Sequence, residues 1–195
     1  MNSLARLPVM LAAAISLSGC ISLGNEPPER LFTLTPEKVT AVGNAAQGEL
    51  GNAISVIEPD APQRLSVTRV PVQIDPSSVA YLKDAVWVDK PAKLFQRLLS
   101  ETIRAGGERL VVDGGDLQYA AATQLSGQIV DLGYDAQSGS AIVRFDAVLK
   151  QPDGQLRTRR FESVVSGIPA KADAVGPALN EAANDVAAQI AEWVG

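Results

Sequence analysis

The residue of this chain that is best placed for covalent chemistry is its one cysteine, Cys20. It directly follows Leu17-Ser18-Gly19, and an apolar segment over residues 9–17 lies before it, with Arg6 near the start of the chain. A positive start, a short apolar stretch and small residues at its end are the three parts of a secretory signal peptide. The spacing therefore predicts a signal peptide over residues 1–19, with the thiol directly after the cleavage site.

The Leu-Ser-Gly-Cys sequence closely resembles the lipobox of bacterial lipoproteins. This resemblance implies that the Cys20 thiol becomes a diacylglycerol thioether, that the signal is cut before it, and that the new amino group receives an acyl chain such as palmitate. Several acyl chains anchor a protein stably, at roughly 0.8 kcal/mol per buried CH₂. The residue after the cysteine is Ile21 rather than Asp, which in lipoproteins of two-membrane bacteria favours the outer membrane.

Two plainer interpretations of this segment stay open: an ordinary signal peptide with an incidental cysteine, and an N-terminal transmembrane helix. The apolar run is shorter than the roughly 20 residues that span a bilayer. A stray thiol directly after Leu-Ser-Gly is also unexpected in a chain with no other cysteine. We therefore predict lipid attachment at Cys20.

The composition argues against several classes of function. The chain has no histidine, and its 17 basic and 22 acidic residues give a net charge of −5. Without histidine the commonest catalytic base and metal ligand are missing. We therefore expect no enzymatic activity, no metal and no cofactor apart from the covalent lipid. An acidic chain without a basic cluster also argues against binding nucleic acid or anionic lipid by charge, and predicts partner contacts that survive moderate salt.

The remaining sequence predicts a tether and one domain. Residues 20–30 contain Pro27-Pro28 and predict an extended tether, and residues 31–195 have the length of a single domain. Strands are predicted over 31–34, 54–58 and 65–74, with a loop over 35–52 whose composition is typical of mobile segments. A change of alternation within the third strand indicates a bulge near Arg69, and Pro71 favours a bulge or a sheet edge.

The second half predicts two helices and four further strands. The first helix follows residues 79–89, with Asp89 as its N-cap and Pro91 in its first turn, and ends at Gly106-Gly107. The terminal helix covers 173–194, and its polar face is expected to carry Asn184. The strands are predicted over 110–112, 125–134, 141–150 and 156–166. This order predicts an α+β fold with two helices packed on one face of a mainly antiparallel sheet.

Four sequence features together resemble the ABC-type transport auxiliary lipoprotein family, which includes the PqiC-like proteins. They are the lipobox, the Leu-Phe-Thr-Leu strand at 31–34, the segment 79–89 that leads into the first helix, and the long hairpin followed by a helix ending in Ala-Glu-Trp at 191–193. The resemblance implies an auxiliary component of a lipid or sterol transport system, in which an inner-membrane ATPase and permease work with a periplasmic MCE-domain protein. It also implies that the lipoprotein docks this apparatus at the periplasmic face of the outer membrane.

Tyr81 and Trp87 are the candidate contacts for the MCE-domain partner, because both residue types are favoured at the cores of interfaces. The alternative is that both side chains only pack at the entrance to the first helix. Family members often carry more basic residues in this segment, whereas here only Lys83 lies between the two aromatic residues.

Three functions compete at this stage. The first is the non-enzymatic adaptor of a lipid transporter, the second is a structural or assembly lipoprotein of another envelope export machine, and the third is an anchored periplasmic enzyme. The residue inventory makes the third weak. The sequence leaves open whether the chain forms a homo-oligomer and which lipid is transported.

Overall fold

The computed structural model of the chain describes residues 30–44, 46–107 and 109–195. The predicted signal peptide and most of the tether lie outside these residues. The described part contains seven strands and three helices: β1 Ile54–Val56, β2 Arg69–Asp75, β3 Ser78–Val86, α1 Pro91–Gly106, β4 Val111–Val112, α2 Leu117–Ala120, β5 Thr123–Asp135, β6 Ser140–Lys150, β7 Leu156–Ser166 and α3 Ala172–Val194.

The long strand β5 is the centre of the sheet. Along one edge it pairs antiparallel with β6, which in turn pairs antiparallel with β7. Along the other edge, the beginning of β5 pairs with β1 and its end with β2, both in parallel. β3 extends the sheet from β2, and β4 extends it from β1. The sheet is therefore mixed, with its three longest pairings antiparallel and with β3, β4 and β7 at its edges.

Helices α1 and α3 cover one face of this sheet, which confirms the predicted α+β fold. Phe95 of α1 packs against Phe145 of β6 with 5.3 Å between ring centroids, and Trp193 of α3 packs against Phe161 of β7 at 5.5 Å. The alternation predicted for β6 is also confirmed, because its odd-numbered residues from Ala141 to Leu149 are at most 2% exposed. The four-residue helix α2 was not predicted.

The ends of α1 follow their local sequence. Pro91 occupies the first helical position, where its missing N–H removes no hydrogen bond. Gly107 ends the helix with φ 75°, a conformation that favours glycine. The predicted cap is wrong by one residue: Lys90 is the N-cap, and the Asp89 carboxylate accepts the Lys90 N–H at 2.8 Å and pairs with Lys93 at 3.1 Å.

The N-terminal strands are shorter than predicted. Residues 31–34 form a single bridge, in which Phe32 exchanges backbone hydrogen bonds with Val86 and Val88. β2 begins only at Arg69, because residues 63–65 form a 3₁₀ turn that buries Leu65. The bulge near Arg69 is confirmed by a register shift against β3. Pro71 lies at this bulge and not at a sheet edge, since β2 pairs on both sides.

The loop after residue 34 is tied to α3 by two amide side chains. The Asn180 Oδ1 accepts the Thr35 N–H at 2.7 Å, and the Asn184 Oδ1 accepts the Glu37 N–H at 2.9 Å. The Asn184 Nδ2 donates to the Thr35 carbonyl at 2.9 Å. The prediction that Asn184 lies on the polar face was therefore wrong: it is 6% exposed, and it satisfies backbone groups of a segment that has no strand partner there.

The same loop is tied to α1 through Glu101, whose carboxylate accepts the Thr40 N–H at 2.7 Å. This hydrogen bond, together with Arg104, lowers the pKa of Glu101 below its ordinary value of 4.5. Residues 35–40, the first part of the loop that composition predicts as a mobile segment, are thus held by side chains from both long helices.

We expect Glu101→Gln to lower the free energy of unfolding by about 1–2 kcal/mol near neutral pH, because the loop then loses a hydrogen bond to a charged group. A carboxylate with a lowered folded-state pKa stabilises the fold above its unfolded pKa, near 4.5, and this contribution disappears as the pH falls through the folded value. Urea unfolding from near-neutral pH to about pH 3 should therefore show the two proteins converging in acid. Glu181→Gln, on the exposed side of α3, is the control. A constant difference at all pH values would contradict the assigned role of Glu101.

Candidate functional site

The residue with the most specific predicted chemistry, Cys20, lies outside the described residues. Its role as the lipid attachment residue stays a prediction from the sequence. From Arg30 onward, no helix that the structure describes has the length and apolar character needed to cross a membrane. Nor does the described part of the chain bring together three carboxylate, cysteine or histidine side chains as a metal site would require.

Trp87 lies in the hydrophobic core, with only 2% of its surface exposed. Its ring meets that of Phe32 edge to face, with 5.6 Å between centroids, and its backbone N–H donates to the Thr68 carbonyl at 2.7 Å. Within the described residues, the indole Nε1 has no hydrogen-bond partner. The structure thus gives Trp87 a packing position, and its contact with a partner stays a prediction.

Tyr81 is half-buried on β3, an edge strand of the sheet. The guanidinium of Arg69 lies 4.2 Å from the centroid of its ring, within the range of a cation–π interaction. Its hydroxyl donates a long hydrogen bond, 3.5 Å, to the Arg64 carbonyl. Of the two predicted aromatic residues, Tyr81 is therefore the one whose position is compatible with direct contact.

The structure does not join these two aromatic residues into one patch. Pro71 lies opposite Tyr81 and Arg69 lies opposite Val86, so that β3 contains three more residues than β2 over this stretch. Asp84 accommodates this bulge with φ 56°, in the left-handed region that non-glycine residues rarely adopt. The bulge separates the exposed start of β3 from the buried residue that follows its end.

A second bulge, in β5, places a carboxylate on the face of the sheet that α1 and α3 leave uncovered, here called the open face. Ile129 lies opposite Phe145 and Asp131 lies opposite Arg144, so Val130 is the extra residue. After it the buried positions change phase, and Leu132 faces the core while Asp131 faces outward. The change of phase from Ile129 to Leu132 is the sequence signal of this bulge.

Asp131 is the centre of an ion-pair network on the open face. It pairs with Arg64 at 2.5 Å and also with Arg144, which in turn pairs with Glu162. These side chains are about 30–40% exposed, so each pair contributes at most about 1 kcal/mol to stability. The network orients the arginines rather than holding the sheet together.

This network borders a cleft of about 440 Å³ between the β2–β3 hairpin and strands β5 and β6. Its walls combine apolar side chains such as Val79 and Ile142 with Arg64, Asp131 and Arg144. The volume is in the range of small-molecule pockets. Both arginines already have carboxylate partners, so the cleft offers no unpaired positive charge for an anionic headgroup.

The edge strand β7 contains a cluster of basic residues. Arg157, Arg159 and Arg160 lie within four positions, and residues 156–160 are all exposed. Arg160 makes two hydrogen bonds of 2.6 Å to Asp146, and this contact lowers the pKa of that carboxyl group. The expectation that no basic cluster exists is therefore wrong, and the run Arg-Thr-Arg-Arg was the signal that could have corrected it.

Comparison with known protein families finds a match to one family model. The model of the family described as the ABC-type transport auxiliary lipoprotein component matches residues 32–191, which is most of the chain. No curated protein matches significantly.

Two solved structures share the fold. One is a Xanthomonas campestris protein assigned to the family DUF330, with a TM-score of 0.66 and 15% identity, covering 85% of this chain and 94% of that protein. The other is a protein described as uncharacterized, with a TM-score of 0.63 and 17% identity, covering 77% of this chain and 97% of its own. At these identities the two structures support the fold and nothing beyond it.

Proposed function

Because the chain belongs to the ABC-type transport auxiliary lipoprotein family, we propose that it is a non-enzymatic lipoprotein that docks a lipid-transporting ABC system at the periplasmic face of the outer membrane. The observation that carries this proposal is the family match over residues 32–191 in a chain with Leu-Ser-Gly-Cys at 17–20. The match supports the auxiliary role, and the lipobox supports the anchor.

The proposed partner is a periplasmic MCE-domain protein of the same transport system. The resemblance drawn from the sequence supports this choice. In the structure, Tyr81 on the edge strand β3 supplies an aromatic residue of the type favoured at interface cores. The non-enzymatic part of the proposal rests on the residue inventory, since the chain has no histidine and its one thiol is assigned to the lipid.

Capture of the tagged full chain from native membranes, with identification of the bound proteins, tests the partner. We expect an ATPase, a permease and an MCE-domain protein to be recovered together. Recovery of the subunits of a protein- or polysaccharide-export machine instead would contradict the proposal.

The anchor is tested by Cys20→Ser, which removes the sulfur that forms the thioether. We expect this variant to be either uncleaved or released into the soluble periplasmic fraction, because no other acylation site is predicted. Fractionation of detergent-free extracts, followed by determination of the N-terminus, measures both outcomes. Ser18→Ala keeps the cysteine and is the control. A cleaved Ser variant that still sediments with the outer membrane would show that the anchor lies elsewhere.

The β3 contact is tested by comparing Tyr81→Ala with Trp87→Phe. We expect Tyr81→Ala to weaken binding of the captured partner by at least about tenfold, as truncation of an interface anchor does. Trp87→Phe should leave binding unchanged and lower the free energy of unfolding by about 1–3 kcal/mol, because it reduces a buried ring. Thermal unfolding and partner affinity are measured on the same preparations. Unchanged affinity of the Tyr81 variant would contradict the β3 contact.

A further inference from the structure

The edge of β7 has an unusual combination of features that the proposed function does not use. Among the described strands, β7 pairs only with β6, so its second edge is unpaired over most of its length. The Gln189 side chain donates to the Glu162 carbonyl at 3.3 Å and covers the edge near that residue. Residues 156–160 are all exposed. An unpaired edge of this kind is a template for another strand.

Two arginines on this edge, Arg157 and Arg159, lie near aromatic rings. Arg157 lies opposite Leu149 and Arg159 lies opposite Ala147, so both project from the face of the sheet that carries the helices. The Arg157 guanidinium lies 5.0 Å from the ring centroid of Trp193, and that of Arg159 lies 4.9 Å from the ring centroid of Phe161. Neither makes an ion pair with a carboxylate in the part of the chain that is described. They are therefore exposed cations that lie near aromatic rings and have hydrogen-bond donors without a partner among the described residues.

The spacing of these cations matches that of side chains on a neighbouring strand. Residues two positions apart on a strand are separated by roughly 6.6 Å, and directly opposed side chains on paired strands lie about 5 Å apart. Carboxylates at alternate positions of an added strand would thus face Arg157 and Arg159 in register. Arginine also binds carboxylates with two parallel hydrogen bonds, which fixes their orientation.

We propose that the free edge of β7 binds an acidic extended segment of a partner protein by strand addition. Backbone hydrogen bonds to Leu156, Thr158 and Arg160, whose N–H and C=O groups point away from β6, supply the alignment. Arg157 and Arg159 select acidic side chains at alternate positions. The charge of the whole chain favours this occupant over an anionic bilayer, because a net charge of −5 opposes approach to an extended negative surface. A short segment experiences mainly the charges within about 10 Å.

This inference concerns the surface of the chain and does not depend on whether the transport partner contains an MCE domain. Charged residues on edge strands also serve to prevent aggregation. That explanation predicts no acidic ligand, and it predicts self-association once the arginines are removed. The two explanations therefore give opposite results in one set of measurements.

The test uses the purified full chain and three labelled nine-residue peptides, with binding followed by fluorescence anisotropy. The first alternates Glu and Val, and the second alternates Lys and Val. The third is the Glu peptide N-methylated at its Val residues, because the Val N–H groups would face β7 when the Glu side chains lie opposite Arg157 and Arg159. We expect the first to bind at least about tenfold more tightly than the other two. Binding should weaken as salt rises, because the arginines are exposed.

The double variant Arg157→Ser, Arg159→Ser should lose about tenfold in affinity for the acidic peptide. The matched control is Lys83→Ser, Arg97→Ser, which changes the net charge equally on other elements and should bind as the wild-type chain does. Thermal unfolding and gel filtration of both variants separate a loss of binding from a loss of folding.

Three results would overturn the proposal. Equal binding of the acidic peptide and its N-methylated form would exclude strand addition. Sedimentation of the chain with phosphatidylglycerol vesicles but not with phosphatidylcholine vesicles, without peptide binding, would assign the edge to a membrane. Self-association of the double variant without peptide binding in the wild-type chain would assign the arginines to protection of the edge.

Discussion

Replacing Gly127 with alanine is expected to lower the free energy of unfolding by about 4 kcal/mol or more, above the usual overpacking cost of about 1–3 kcal/mol. An added Cβ would lie 2.1 Å from the Asp146 carbonyl oxygen, 2.7 Å from the Phe145 ring and 3.1 Å from the Ala147 Cα. Two of these atoms belong to the backbone of β6, so relief would require the β5–β6 pairing to separate. Urea unfolding followed by circular dichroism measures the loss.

Gly106→Ala is the control for this substitution. Gly106 is the last residue of α1, and a Cβ there would have no atom within 4 Å. Because alanine favours helix over glycine by about 1 kcal/mol, this variant should be as stable as the wild-type chain or more stable. A Gly127→Ala protein of wild-type stability would show that Gly127 and Ala147 are not neighbours on paired strands.

The parts of the fold that the sequence predicted well are those with long periodic patterns. The apolar residues of α1 and the alternation of β6 each extend over many positions, so the period identifies both the element and its buried face. The turn at 152–154 then determines that β7 returns beside β6. These elements form the helix layer and the largest part of the sheet.

The parts that the sequence could not predict depend on contacts between distant segments. β1 and β4 have three and two residues, which is too short for a period. β1 is placed by its parallel pairing with β5, and β4 by its parallel pairing with β1. Asn184 has the character of a surface residue, yet its amide is buried because Thr35 and Glu37 bring unpaired backbone groups to it. A single sequence contains no local signal for this contact between Asn184 and a segment about 150 residues earlier in the chain.

The two candidate binding surfaces, on β7 and on β3, likewise combine a local sequence signal with a position that only the fold determines. The Arg-Thr-Arg-Arg run was present in the sequence, but its meaning depended on β7 being an edge strand, which only the topology shows. For Tyr81 and Trp87, residue type indicated packing as the simpler interpretation and partner contact as the functional one. The two residues differ in burial. Trp87 lies in the core, where it forms a bridge with Phe32, whereas Tyr81 is half-buried on the edge strand β3.

Phe145→Ala is the second substitution from which we expect a large effect, a loss of about 3–5 kcal/mol in the free energy of unfolding. Phe145 is 1% exposed and lies where the sheet, α1 and the centre of β5 meet, with Phe95 at 5.3 Å and Ile129 directly opposite. Truncation would leave a cavity lined by rigid strand backbone, which can collapse only partly. A loss of this size is a large share of the about 5–15 kcal/mol that stabilises a typical domain.

Two further variants keep this prediction testable if the alanine protein fails to fold. Phe145→Leu preserves most of the apolar volume and should lose clearly less stability than Phe145→Ala. Val148→Ala removes apolar atoms from the same strand on the open face, where the side chain is only half-buried, and should lose less than about 1.5 kcal/mol. If Val148→Ala lost about 3–5 kcal/mol while Phe145→Leu kept wild-type stability, the buried and open faces of β6 would be reversed. The helices would then have to pack on the open face, and the ion pairs around Asp131 would be buried in the core, where removing charges from water is costly.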